Sequence, residues 1–160
     1  MTEVILVPTS RDIKTGAVMQ FITGDSAVAN WDKIEKLLEQ VPETWMAEYS
    51  KEDIYKGLCS GYVHAWQIGT PEGIRVVIFS QFVQFPKVKY LEVFWAAGTN
   101  FLESCADLVD STLENFAARM GADQIRVVGR NGWYRKLRTR GYEQVGVVMA
   151  KSVKTTGHLS

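Results

Sequence analysis

Residues 129–142, "GRNGWYRKLRTRGY", set five basic side chains, Arg130, Arg135, Lys136, Arg138 and Arg140, among Trp133, Tyr134 and Leu137. Three chemistries suit such a stretch: contact with nucleic-acid phosphates, a clamp on the phosphates of a cofactor, or the basic outer face of a short amphipathic helix. On a helix from Asn131 to Thr139, Trp133 and Leu137 make an apolar stripe that Tyr134 can join, and the basic residues spread over the remaining faces. That arrangement offers phosphate contacts but no platform for stacking bases, because its aromatics are needed for packing. The five basic residues are the candidate partner-binding set.

Few other residues have the types and spacing for catalysis. Glu92 is a carboxylate inside a predicted strand and the candidate general base, placed by alternation with Tyr90 and Phe94 and opposite Leu91, Val93 and Trp95. The plain alternative is a solvated or hydrogen-bonded Glu92. His64 falls on a predicted strand and His158 in the polar tail, with no nucleophile near either in sequence, so His64 is read as structural. Cys59 and Cys105 have no metal or redox spacing and are read as small buried apolar residues; no metal site is expected.

The elements that must carry these residues follow from composition and periodicity. At 160 residues, 46% hydrophobic and 22% charged, the chain has the make-up of one globular domain, residues 1–160 with a polar tail from about 154. No apolar run approaches the roughly 20 residues of a membrane span, and the first residues lack a signal-peptide pattern. Net charge is zero but polarised: residues 119–160 hold nine Lys/Arg against two Asp/Glu, residues 1–118 nine against sixteen. Such asymmetry suggests a polyanionic partner or an acidic protein surface, or two parts that neutralise each other.

"EVILVP" predicts a strand stopped by Pro8. "GDSAVANWDKIEKLLEQVP" predicts one helix capped by Asp25 or Ser26 and ended by Pro42. "SKEDIYKGLCSG" predicts a second helix, with Ser50 and Asp53 as a capping pair and Gly61 closing it. "YVHAWQIG", "GIRVVIFSQFVQF" and "KYLEVFWAAG", separated by "TPEG" and "PKVK", predict an antiparallel meander. Ser104 to Met120 predicts a long helix ended by Gly121, "QIRVVG" a buried strand, the basic stretch a short helix and "EQVGVVMAKSV" a last strand. The fold class is mixed α/β (α+β), in the order β-α-α-β-β-β-α-β-α-β.

With "FAARMGADQIRVVG" followed by a short helix and "RGYEQVG", this order resembles the GNAT superfamily of N-acetyltransferases. The opening "VILVPT", the helix "WDKIEKLLEQVPE" and "GRNGWYRKL" are further similar to the GNAT-like proteins that tailed phages encode among their virion genes. The resemblance implies a mostly antiparallel sheet flanked by helices. It also implies an acyl-CoA pyrophosphate held by backbone amides where the central helix starts, in a loop with glycines that let the backbone approach. Registered on Ala117, that loop is "FLESCA": Phe101 stands for the usual polar residue, Ser104 for the first glycine, Cys105 and Ala106 follow, and Glu103 adds negative charge. A register on "AAGTNF" restores Gly98 but leaves Phe101 where a small residue is needed. Family members often carry a tyrosine four residues before the Gly-aromatic pair as general acid. Leu137 occupies that place here, with Tyr134 three residues earlier as the remaining candidate.

The resulting expectation is a GNAT-fold phage virion or assembly protein with a degenerate acyl-CoA site and no cofactor, in the virion or host cytoplasm and not secreted. Its partners would be other virion proteins or copies of itself, the basic strip lying against an acidic face such as that of Asp32, Glu35 and Glu39. Two alternatives stay open: an active N-acetyltransferase using acetyl-CoA, and a basic accessory protein bound nonspecifically to nucleic acid.

Overall fold

Two short turns set the sheet. Pro71 and Glu72 reverse the chain between Thr70 and Gly73, which face each other in the ladder, and residues 85–88 do the same before Lys89. The computed structural model describes residues 9–22, 24–40, 48–98, 105–129 and 135–153, which divide into two compact units, 1–128 and 129–160.

In the first unit a β1 (Thr9–Arg11)–β2 (Val18–Ile22) hairpin leads to α1 (Gly24–Ala29), α2 (Trp31–Leu38) and α3 (Lys51–Ser60). The meander β3 (His64–Thr70), β4 (Gly73–Gln84) and β5 (Lys89–Gly98) follows, then α4 (Ala106–Arg119) and β6 (Gln124–Val127). The six strands pair in chain order, all antiparallel except β5 with β6, whose parallel pairing needs α4 as its crossover. The sheet buries both faces. Met19, Trp66, Ile68, Ile78, Leu91 and Val93 meet Leu108, Leu113 and Phe116 of α4 on one side. On the other, Val77, Phe79 and Phe94 meet Ile34, Leu38, Ile54 and Leu58 of α2 and α3.

The predicted meander, α4 and the α3 capping pair are present. Ser50 N–H donates to Asp53 Oδ2 at 2.9 Å, Asp53 N–H donates to Ser50 Oγ at 3.1 Å, and Gly61 closes the helix at φ +82°.

Other expectations change. The strand at 3–8 and Pro42 lie outside the described residues, whereas the β1–β2 hairpin was not anticipated. Its loop is tied by Asp12, which accepts from Lys14 N–H at 3.1 Å and from the Thr15 hydroxyl at 2.7 Å. The single predicted helix is two: α1 begins at Gly24, ahead of both expected caps, and the chain breaks at Asn30, whose side chain takes the Ser26 carbonyl at 2.8 Å. Cys59 is exposed, unlike Cys105; it sits one residue past the buried Leu58, about 100° around the helix. Residues 124–127 form a half-exposed strand and not a buried one, because β6 is the last strand of the sheet.

In the second unit, residues 135–137 are helical and Arg138–Arg140 continue as a 3-10 turn ended by Gly141 at φ +86°. Residues 142–153 form no strand, contrary to expectation. Val145, Val147, Val148 and Met149 are exposed, and the unit's described residues include no strand against which a ladder could form.

Candidate functional site

At the β5–β6 seam the sheet comes apart. β6 follows β5 only from Tyr90–Gln124 to Val93–Val127, after which Val128 N–H donates to the Val93 carbonyl at 3.0 Å. β5 runs on to Gly98, still paired with β4 on its other side, while no described strand accompanies its last five residues, 94–98. The parting coincides with a β-bulge. Ser80 pairs with Val93 but Phe79 with Trp95, so Phe94 is an extra residue that bends the strand and interrupts regular pairing.

The bulge also corrects the predicted alternation. Trp95 does not oppose Phe94; both pack with the α2–α3 side of the core, and Tyr49 meets their rings at 5.0 and 5.7 Å. The backbone edge at 94–98 is therefore left without a described ladder partner, next to the bulge. β5 ends at Gly98 and α4 begins at Ala106, with Cys105 at its N-cap, close enough to Asp12 of the β1–β2 loop to feel its charge, and the Cys105 side chain makes no capping hydrogen bond.

Glu92 lies just before the bulge, half-buried, and its Oε1 accepts from Gln81 Nε2 at 3.1 Å. The same Gln81 amide meets the Tyr49 hydroxyl at 3.1 Å, giving a chain from Tyr49 through Gln81 to Glu92. Sequence reasoning named Glu92 alone. Its partners come from a neighbouring strand and from the approach to α3, and only the strand register brings them together. Arg126 is opposite Glu92 in the register, but its guanidinium lies over the Tyr90 ring at 4.1 Å and its Nε donates to Gln124 at 3.1 Å.

Among the cofactor-loop candidates, Phe101 and Ser104 lie outside the described residues, as does Glu103. Cys105 is buried, and burial together with the Asp12 charge raises its thiol pKa, which keeps it protonated at neutral pH. Ala106 is the first residue of α4. Gly98 is required for another reason than phosphate approach: its φ is +141°, and a side-chain carbon there would run into the Arg75 carbonyl of β4. Tyr134 and Arg130 lie outside the described residues. Arg135 and Arg138 are exposed, Lys136 is exposed and Arg140 is half-buried.

His64 is structural, as read, yet a hydroxyl does stand beside it. The β3–β4 register puts Ser80 opposite His64, with Oγ 3.0 Å from Nδ1, and Ser80 also accepts the Trp66 indole N–H at 3.0 Å. Phe21, Phe82 and Phe116 surround the imidazole at 5.8, 5.0 and 5.4 Å. Burial lowers its pKa from 6.5 to about 4, so it is neutral at pH 7. Ser80 is fully buried and cannot meet a substrate. Among the described residues no group of three His, Cys, Asp or Glu could hold a metal ion, and no helix is long and apolar enough to cross a membrane.

No family model and no curated protein matches the sequence. Solved structures do match the fold. An aminoglycoside acetyltransferase from an uncultured soil metagenomic sample, in complex with sisomicin, aligns with TM-score 0.64 at 14% identity, over 89% of this chain and 100% of that one. A possible acetyltransferase from Clostridium difficile 630 gives 0.62 at 9%, over 86% and 97%. A ribosomal-protein-alanine N-acetyltransferase from Brucella melitensis biovar Abortus 2308 gives 0.60 at 7%, over 84% and 99%.

Proposed function

We propose, for a chain whose fold is that of the GNAT acetyltransferases, that it binds an acyl-CoA in the β5–β6 seam and transfers the acyl group to an amine. The observation that carries this reading is the β5 edge at residues 94–98, which no described strand pairs and which lies beside the bulge at Phe94; α4 follows it in the chain without a side-chain cap from its N-cap residue. An unpaired strand edge offers N–H and C=O groups to a ligand that carries amides of its own, and a helix start favours an anion. These features fit the two ends of an acyl-CoA, its amide-bearing arm and its pyrophosphate. Bound there, the group would supply an activated thioester whose C–S bond breaks, with CoA leaving as a thiolate, as the amine nitrogen bonds to the acyl carbon. Glu92, with one oxygen fixed by Gln81, takes the proton of the attacking amine, and Gln81 and Tyr49 keep the carboxylate oriented. Amine acceptors are consistent with the aminoglycoside and ribosomal-protein acetyltransferases that share the fold.

A second reading, a GNAT-fold protein of phage particles whose acyl-CoA site has decayed, is favoured by Phe101, Glu103 and Ser104 in the loop before α4. Thermal melts with acetyl-CoA separate the two. A ligand at 100 times its dissociation constant stabilises by about 2.7 kcal/mol, so binding should raise the melting temperature clearly, and Ser104→Asp should abolish the rise. In a thiol-release assay with an amine acceptor, Glu92→Gln should lower turnover by about 10²–10⁴-fold while leaving the acetyl-CoA shift intact. No shift at millimolar acetyl-CoA supports the decayed site.

A further inference from the structure

A cleft of about 390 Å³ opens between α2 and α3, on helices that the acyl-CoA reading does not use. Trp31 and Tyr55 line it as an edge-to-face pair with centroids 5.0 Å apart, together with Val28, which is 47% exposed. Its charges are unequally engaged. Glu35 accepts the Trp31 indole N–H at 3.0 Å, and Lys51 pairs with Glu39 at 3.8 Å. Asp32, Glu52 and Lys56 are exposed and make no ion pair among the described residues, so the lining holds three carboxylates against two lysines. An aromatic pair lined by exposed carboxylates suits a planar cation better than a compact one, since a guanidinium can stack on a ring while its N–H groups reach the carboxylates.

The same chain carries that cation. Residues 129–160 hold seven Lys/Arg against one Asp/Glu, whereas residues 24–60, which include α1 to α3, hold eight Asp/Glu against four Lys/Arg. Arg135 and Arg138 are exposed and three residues apart on a helical turn, which sets them side by side. We propose that the α2–α3 cleft receives Arg135 and Arg138 of a second copy of this chain. Because the two patches differ, the contact runs head to tail and either propagates or closes into a ring. Exposed charge pairs are individually weak and screened by salt, so the association is a low-affinity one that several pairs share.

Sedimentation equilibrium on the full chain, at low salt and at about 0.5 M salt, tests this. The average mass should rise with concentration at low salt. Affinity should fall at least about tenfold at high salt, and likewise in R135E/R138E and in D32K/E52K, with thermal melts confirming that both variants remain folded. Mixing the two reversed variants should restore association as a complex containing both. If a reversed pair fails to fold, Arg135→Gln with Arg138→Gln and Asp32→Asn with Glu52→Gln serve as the weaker versions. A mass that stays monomeric at low salt overturns the proposal, as does association indifferent to reversal or not restored by mixing. Retention on double-stranded DNA that R135E/R138E abolishes, with self-association unchanged, assigns the strip to nucleic acid and equally overturns it. None of these readouts depends on acetyl-CoA.

Discussion

His64 illustrates what a single side chain contributes to the energetics. Held neutral among three phenylalanine rings with its Nδ1 on Ser80, it has a pKa of about 4 in the folded chain and regains about 6.5 on unfolding. Between those values the unfolded chain takes up a proton that the folded chain refuses, so stability falls as pH drops through this window and the effect levels off below about pH 4. At about 1.36 kcal/mol per unit, the gap is worth about 3 kcal/mol. Urea unfolding at pH 7 and pH 4.5 should show a loss that His64→Phe reduces by about 2 kcal/mol; equal losses in both proteins would place His64 in a wetter environment than its ring contacts indicate. The pairing with Ser80 was not legible in the sequence. Counting back from Thr70 opposite Gly73 predicts Phe79 opposite His64, but a bulge at Ile68/Gly69 shifts the register by one residue and brings Ser80 there instead.

Among the elements, those specified by local signals were readable. The meander follows from its turn residues and β-branched runs, α3 from its capping pair and Gly61, and α4 from its apolar repeat and Gly121. What local signals do not encode is how strands part. The bulge at Phe94, which puts Trp95 on the unexpected face where the described β6 pairing stops, has no turn residue to mark it, and neither does the seam beside it. The Asn30 break was hidden for a similar reason: Ile34 and Leu38 of α2 and Ala27 of α1 bury into one core, so their spacing reads as one continuous helix. Gly98 is the element-scale residue most open to test. With φ +141° and the Arg75 carbonyl in the way of any side-chain carbon, Gly98→Ala should cost about 3 kcal/mol and shift the urea midpoint. A midpoint equal to the parent's would mean that β5 and β4 are less closely apposed at this point.

For the whole molecule, protection should be graded by pairing. β3 and β4 have strands on both sides and core on both faces, whereas residues 142–153 form no ladder among the described residues. Hydrogen exchange should therefore be slowest at amides of Trp66, Ile78 and Phe79 and fastest between Glu143 and Val153; slow exchange in the latter segment would reveal a partner for it. The charge polarity and an acidic face at Asp32 and Glu35 were legible in the sequence, but the cleft they line was not, because it depends on how α2 and α3 pack rather than on either helix's own pattern. Strand order has a further consequence. Since each of the six strands lies beside its sequence neighbour, every antiparallel pairing closes over a connection made only of residues already behind it in the chain. A ribosome releasing this protein from its first residue would thus free each hairpin partner in turn, letting the sheet grow strand by strand during synthesis. The parallel β5–β6 closure must wait until α4 has emerged, which makes it the last seam of the sheet to be sewn.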